Sequence, residues 1–289
     1  MADSALDACR GYASSALSTV LMYPLRDLVK HHTLQSVGGA LRPEFFRQRW
    51  RGMLQHPSQP LLIALPWGAL YAVGSTTTSS PLFFGLGAAL FAAGKLFVRN
   101  TAVRMSMTNR RRDAALFPSY SQCWIEGTKR FGVFSWVAGW SPVFAVSILW
   151  HALALHQLAG AESAPRSFAG DALVAFRVHF FLGLLTQPLR NVTRSAMPRA
   201  AAHTVPTLRS FYSGEVALWR EAIGVLRSVP RSDVGPRFLV HGAVRDALKG
   251  SLPFALTYAT FRLLGGQLRC ADGGRRHLGG GWRRWRAPQ

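Results

Sequence analysis

The 289 residues carry 34 Lys and Arg against 13 Asp and Glu, a formal net charge of +21, yet 49% of them are hydrophobic. So basic a balance points to nucleic acid, anionic lipid or an organelle interior. So apolar a composition argues against a nucleic-acid protein and for a membrane protein with basic loops.

The chain opens "MADSALDACRGYASS", with Asp3, Asp7 and a single Arg10. This is neither a basic transit peptide nor a signal peptide, so any organelle address is expected to be internal. Apolar runs follow near 8–25, 60–75, 81–98, 133–155, 172–189 and 251–264. Several fall short of the ~20 residues that cross a bilayer, and Lys95, Arg177 and His179 interrupt two of them. Six weak spans holding polar residues predict helices packed around one another, polar groups inward or snorkelling. Small residues in "GYASSALS" and "GLGAALFAAG" allow close helix approach. Cys9, Cys123 and Cys270 form neither a zinc spacing nor a disulfide framework. His31–His32 lacks further ligands and is expected in a solvated loop, so no metal site is expected.

The connections alternate in charge. Those at 26–59, 99–132 and 190–249 are rich in Lys and Arg, whereas "STTTSS" at 75–80 and the stretch 156–171 hold only Arg166. Six antiparallel spans under the positive-inside rule produce this alternation, with both termini opposite the basic loops.

The decisive feature is internal repetition. "YPLRDLVK" at 23–30 recurs as "QPLRNVTR" at 187–194 and, weakened, as "LFVRNTAVR" at 96–104 with Phe97 in the proline position. Pro24 and Pro188 are expected to kink or end their helices. The even-numbered apolar segments share "ALPWGALYAV" around Pro66, "GWSPVFAVSI" around Pro142 and "SLPFALTYAT" around Pro253. Before them stand "RWRG" (49–52), "KRFG" (129–132) and "LVHG" (239–242). The chain therefore divides into units at 1–80, 81–165 and 166–267, followed by a Gly/Arg/Trp-rich tail at 268–289.

This unit resembles that of the mitochondrial carrier family. "YPLRDLVKHHTLQ" and "TQPLRNVTRSAM" look like its odd-helix signature, and "IEG" at 125–127 looks like its acidic-Gly element. The resemblance covers residues 8–264. It implies an all-α membrane protein of six transmembrane helices in three pseudosymmetric two-helix repeats with short matrix helices, in the inner mitochondrial membrane, with termini toward the intermembrane space.

The same resemblance implies a matrix gate of paired charges at Asp27, Lys30, Asn100, Arg104, Asn191 and Arg194. Only the first copy keeps both signs, and one carboxylate cannot neutralise three cations. Each copy also carries an extra arginine, Arg26, Arg99 or Arg190. At the opposite end "LYAVGS", "VSILWH" and "TYATFR" contain no acid. The family's substrate contacts map three residues before the even-helix prolines, onto Ile63, Gly139 and Gly250; the nearby cations Lys249 and Arg245 are the candidate substrate contacts. No catalytic constellation is present, so no enzyme is expected, and no cofactor beyond cardiolipin or another anionic lipid. The tail suits lipid headgroups or a protein partner better than RNA. The expected role is a non-transporting structural subunit of a large inner-membrane complex, such as one of the respiratory chain. An active divergent carrier of a small metabolite is the alternative, and an RNA- or ribosome-tethering protein is a third possibility.

Overall fold

The computed structural model describes residues 2–31, 64–71, 81–110, 119–161, 167–200, 204–228 and 237–268. Side chains at some helix ends, 23–31 among them, are outside this set, and so are the side chains of Pro24, Asp27 and Lys30 and the whole of His32, the loop at 32–63 and the tail at 269–289. Among the described residues all regular structure is helical, in line with the all-α expectation.

Helix α1 spans Ala2–His31 and α2 covers 64–71. Helix α3 spans Pro81–Arg110, and α4 spans Tyr120–Phe131. Helix α5 is built from Trp140–Ser147, a wide turn Ile148–Ala152 and Leu153–Ala161. Then come α6 Phe168–Leu185, α7 Gln187–Ala200, α8 Leu208–Ser228, the short α9 Arg237–Val240 and α10 Ala243–Leu263. Ser119 and Ser167 start α4 and α6 by accepting from the amides of Gln122 and Gly170, as N-cap serines do. Proline acts unevenly. The helix ends at Leu185, and a new one begins at Gln187 with Pro188 in its first turn, where the missing N–H costs nothing. Where Phe97 replaces proline, α3 runs unbroken for 30 residues. Helix α1 also continues through Pro24, so the expected kink is not a helix end there.

Helix α6 packs along α10, α10 against α1, and α3 against α5. The apolar core between them holds Leu70, Tyr71, Phe91, Leu155, Leu158, Phe254, Tyr258 and Phe261. The outside is also apolar. Leu17, Leu21, Leu86, Leu90, Leu173, Phe181, Leu185, Leu252 and Leu263 are all exposed, while Ser14, Ser15, Ser18, His151, His179, Ser251 and Thr257 are buried. Apolar side chains thus line part of the described surface as well as the core, and several polar groups lie inside. Two stretches, Val133–Gly160 and Phe168–Leu185, are long and apolar enough to cross a membrane.

One local arrangement occurs twice. On α3, Asn100 Nδ2 donates to the carbonyls of Ser135 (3.2 Å) and Trp136 (2.9 Å). On α7, Asn191 Nδ2 donates to Phe238 (2.8 Å), Leu239 (3.1 Å) and His241 (3.1 Å). In both places the carbonyls end a one-turn helix, Val133–Trp136 or Arg237–Val240. A glycine with positive φ then launches a long helix, Gly139 (84°) into α5 and Gly242 (69°) into α10. In each copy two of the bonded carbonyls stand four and three residues before the glycine, a shared local design, and Asn191 adds a third bond to His241. Any other residue would be strained at that φ.

This register corrects the alignment of the even-helix prolines. Pro142 stands three residues after Gly139, in the first turn of α5. Pro253 stands eleven after Gly242, deep inside α10. Both lie in small, apolar surroundings, which makes them look alike in sequence although they sit at different heights. Pro66, the third residue of α2, is buried, and Gly94 of α3 passes so close that an added Cβ would lie 2.9 Å from its ring.

Candidate functional site: the filled centre and its charged end

The position eleven after Gly139 is Trp150, and it organises the middle of the bundle. Its indole lies between two glycines: an added Cβ would come within 2.9 Å of it at Gly183 of α6 and within 2.5 Å at Gly250 of α10. A substrate contact at Gly250 is only an expectation drawn from the resemblance; here the chain's own tryptophan takes that space. Trp150 Nε1 donates to the His179 carbonyl at 2.7 Å. The Arg190 guanidinium lies over the indole face, 4.1 Å from its centroid. That is cation–π geometry, and stronger here because both groups are desolvated.

Beside the indole lie two imidazoles in direct contact. His151 Nδ1 and His179 Nε2 are 2.9 Å apart, so one ring donates and the other accepts. His179 Nδ1 meets Ser251 Oγ at 3.0 Å. His179 stacks on Phe254 at 4.1 Å, and His151 is met edge-on by Trp67 at 5.1 Å and Phe91 at 4.9 Å. Among the described residues the Nε2 of His151 has no hydrogen-bond partner. The order Ser–His–His has the connectivity of a nucleophile and its base. But Ser251 and His179 are 0% exposed and His151 4%, and aromatic rings close the flanks, so no substrate can reach the hydroxyl. Among the described residues no cluster of three metal-binding side chains occurs.

The wide turn explains how these groups converge. The amide of Leu153 reaches back to the carbonyl of Ile148, the i→i+5 pattern of a π turn. Trp150, His151 and Ala152 are consecutive and all buried. On a regular α-helix three successive side chains spread over about 200° and cannot share one face.

The charged end lies around Asp246, in the first turn of α10. Its carboxylate accepts from Arg194 and, at 3.3 Å, from Gln187; Arg190 lies 3.9 Å away and Arg245 3.6 Å. Thus Asp246 supplies a carboxylate that the third motif, with Asn191, does not contain. Arg245, a candidate substrate contact, is half-exposed at this end rather than at the centre. Lys249 is half-buried on α10, next to Gly250. At the second motif Arg104 donates to Ser135 Oγ at 2.9 Å, and its guanidinium lies over Trp136 (3.9 Å) and Phe131 (4.7 Å). Burial pulls Arg104 below the usual arginine range. Gly127 of "IEG" is buried against Trp136, whose ring an added Cβ would meet at 3.0 Å, whereas Glu126 faces outward. At the other end of the bundle Arg262 Nε lies 3.7 Å from Asp171, so α6 provides there the acid missing from "TYATFR".

Sequence reasoning missed Glu215 altogether. It is buried on α8, and its carboxylate accepts from the amides of Gly139 (2.7 Å), Trp140 (3.2 Å) and Ser141 (2.9 Å), and from the Ser141 hydroxyl. A carboxylate on the open amides of a helix N-terminus satisfies both hydrogen bonding and the helix dipole. Trp219, one turn on, donates to the same Ser141 hydroxyl at 2.9 Å. The only hint in sequence is that both groups share one face of an amphipathic helix. No protein-family model matches the chain, and no curated protein is detectably similar to it in sequence.

Proposed function

We propose that the chain is a degenerate member of the mitochondrial carrier fold, six spans in three repeats within the inner membrane, that no longer transports. It serves as a structural subunit of a large inner-membrane assembly. The observation that carries this reading is Trp150, wedged between Gly183 and Gly250 and stacked on buried histidines where a carrier would hold its substrate. The recurrent Asn–carbonyl–glycine arrangement supports the repeats, and the apolar exterior supports the membrane setting. The long basic connections suit acidic partner subunits and anionic lipid.

Two measurements test it. Purified protein in vesicles is expected to exchange no labelled metabolite, and native electrophoresis in mild detergent is expected to place the 31.7 kDa chain in a much larger complex. Exchange that is lost in Lys249→Ala would overturn the structural role, and migration only as a monomer would overturn the subunit role. The second reading is a divergent active carrier. Lys249, half-buried on α10 beside Gly250, would then be the contact for a small, weakly charged solute.

A further inference from the structure

Three guanidiniums share one carboxylate where α7 meets the start of α10. Arg190, Arg194 and Arg245 all lie on Asp246, and among the described residues no second acid joins them. Two positive charges are left there without a counter-charge. Arg190 and Arg194 also stand one turn apart on α7, a spacing at which like charges repel. Arg190 is 8% exposed, and its Nη1 has no hydrogen-bond partner among the described residues; the Nε of Arg245 has none either. The arginines are nevertheless held in place. Arg190 rests on the Trp150 indole, and Arg245 lies across Gly242, where an added Cβ would meet its Nη2 at 3.0 Å. The side chains of Arg194 and Arg245 are 51% and 40% exposed, so their remaining donors face whatever covers this end.

We propose that an acidic segment of a partner subunit docks here, one of its carboxylates bridging Arg194 and Arg245 beside Asp246. Guanidinium forks accept a carboxylate in two parallel bonds, and a second acid would balance the repulsion among the three arginines. Direction favours a protein segment over a lipid headgroup. On α10 the exposed apolar residues Val244, Leu248 and Leu252 stand about 160–240° around the helix from Asp246. The Asp246 carboxylate thus faces away from that apolar row, toward α7 and the Arg190–Trp150 stack. The inference rests on the subunit reading above and gives it a docking point.

Zero-length crosslinking in native membranes tests the contact. Arg194→Lys and Arg245→Lys keep the charge and supply an amine, which a guanidinium does not. A water-soluble carbodiimide activates a nearby carboxylate; the amine attacks, a urea leaves and an amide bond remains. Sequencing of the linked peptides is expected to show an aspartate or glutamate of another polypeptide joined at 194 or 245. Links confined to this chain's own Asp246 or Asp27 overturn the docking, and so does another polypeptide that couples equally well to Arg227→Lys on α8. The second arm removes the charge with Arg194→Gln and Arg245→Gln together, folding being checked by the burial of Cys123. Native electrophoresis is expected to show the complexed fraction down about tenfold or more, the effect of losing a charge-assisted hydrogen bond. A folded variant that stays wholly in the complex overturns this site alone, whereas a native chain that migrates only as a monomer overturns the subunit reading beneath it. Inorganic phosphate or cardiolipin that raises the Tm of the purified native chain but not of the glutamine variant assigns the arginines to a free or lipid phosphate and overturns the protein partner.

Discussion

Removing the Glu215 carboxylate should be among the most damaging single changes in the described part of the molecule. Glu215→Ala takes a charged acceptor from three amides and one hydroxyl. Each such bond is worth about 1.5–3 kcal/mol, but they are not additive. Trp140 and Ser141 are partly exposed, so water can replace the carboxylate at those two residues, whereas Gly139 is buried and its amide stays orphaned. The expected loss is therefore about 2–4 kcal/mol. For a chain of this size that is a fall in Tm of roughly 3–7 °C. Glu215→Gln keeps the shape and loses the charge at the helix start, about 1 kcal/mol. Unfolding can be followed with a thiol-reactive dye, because Cys123 is buried until the fold opens. A Tm for Glu215→Ala within about 1 °C of the native protein would refute the reasoning.

Four further outcomes follow from the same geometry. Gly250→Ala drives a methyl into the Trp150 ring and is expected to cost about 1–3 kcal/mol; Trp150→Ala costs about 3–5 kcal/mol, and the double variant should lose less than the sum, as a denaturation cycle would show. Asp246→Ala strands the buried Arg190 and should cost about 3–5 kcal/mol, whereas Arg194→Ala, half-exposed, costs about 1 kcal/mol or less. Asn191→Asp and Asn100→Asp replace a donor by an acceptor facing carbonyls, so each should destabilise by about 1–3 kcal/mol in thermal melts. Burial pushes the Cys123 thiol up, with nearby Arg104 opposing; maleimide should therefore modify exposed Cys9 promptly and leave Cys123 a thiol until the protein is unfolded.

The Asn predictions show what sequence could and could not convey. The thrice-repeated Arg–Asx motif was legible, and two copies do stand at equivalent places before a glycine turn. The meaning of asparagine was not. Read as an acid that has lost its charge, Asn100 or Asn191 looks like damage; in the fold its amide closes the end of a short helix. The carboxylates were equally hidden. Asp246 and Asp171 lie on helices paired in space with the arginines they meet, and Glu215 acts 74 to 76 residues from its partners. Periodicity shows which face is apolar but not which helix lies opposite. The prolines of the even helices misled for the same reason, since their true register is set by Gly139 and Gly242.

The π turn at Ile148–Ala152 has a consequence for how this chain can vary in length. Such a turn is an α-helix holding one residue more than its hydrogen bonds require. Deleting a single residue there would restore regular pitch and keep both halves of α5 in phase, because the wide turn alone absorbs the extra residue, yet one of the three consecutive inward side chains would be lost from the core. Where that side chain is Trp150 or His151, its place against Gly183 or His179 is left empty. One codon thus separates a bundle whose interior is sealed from one with a vacant slot between two glycines, without any change in the residues that line it.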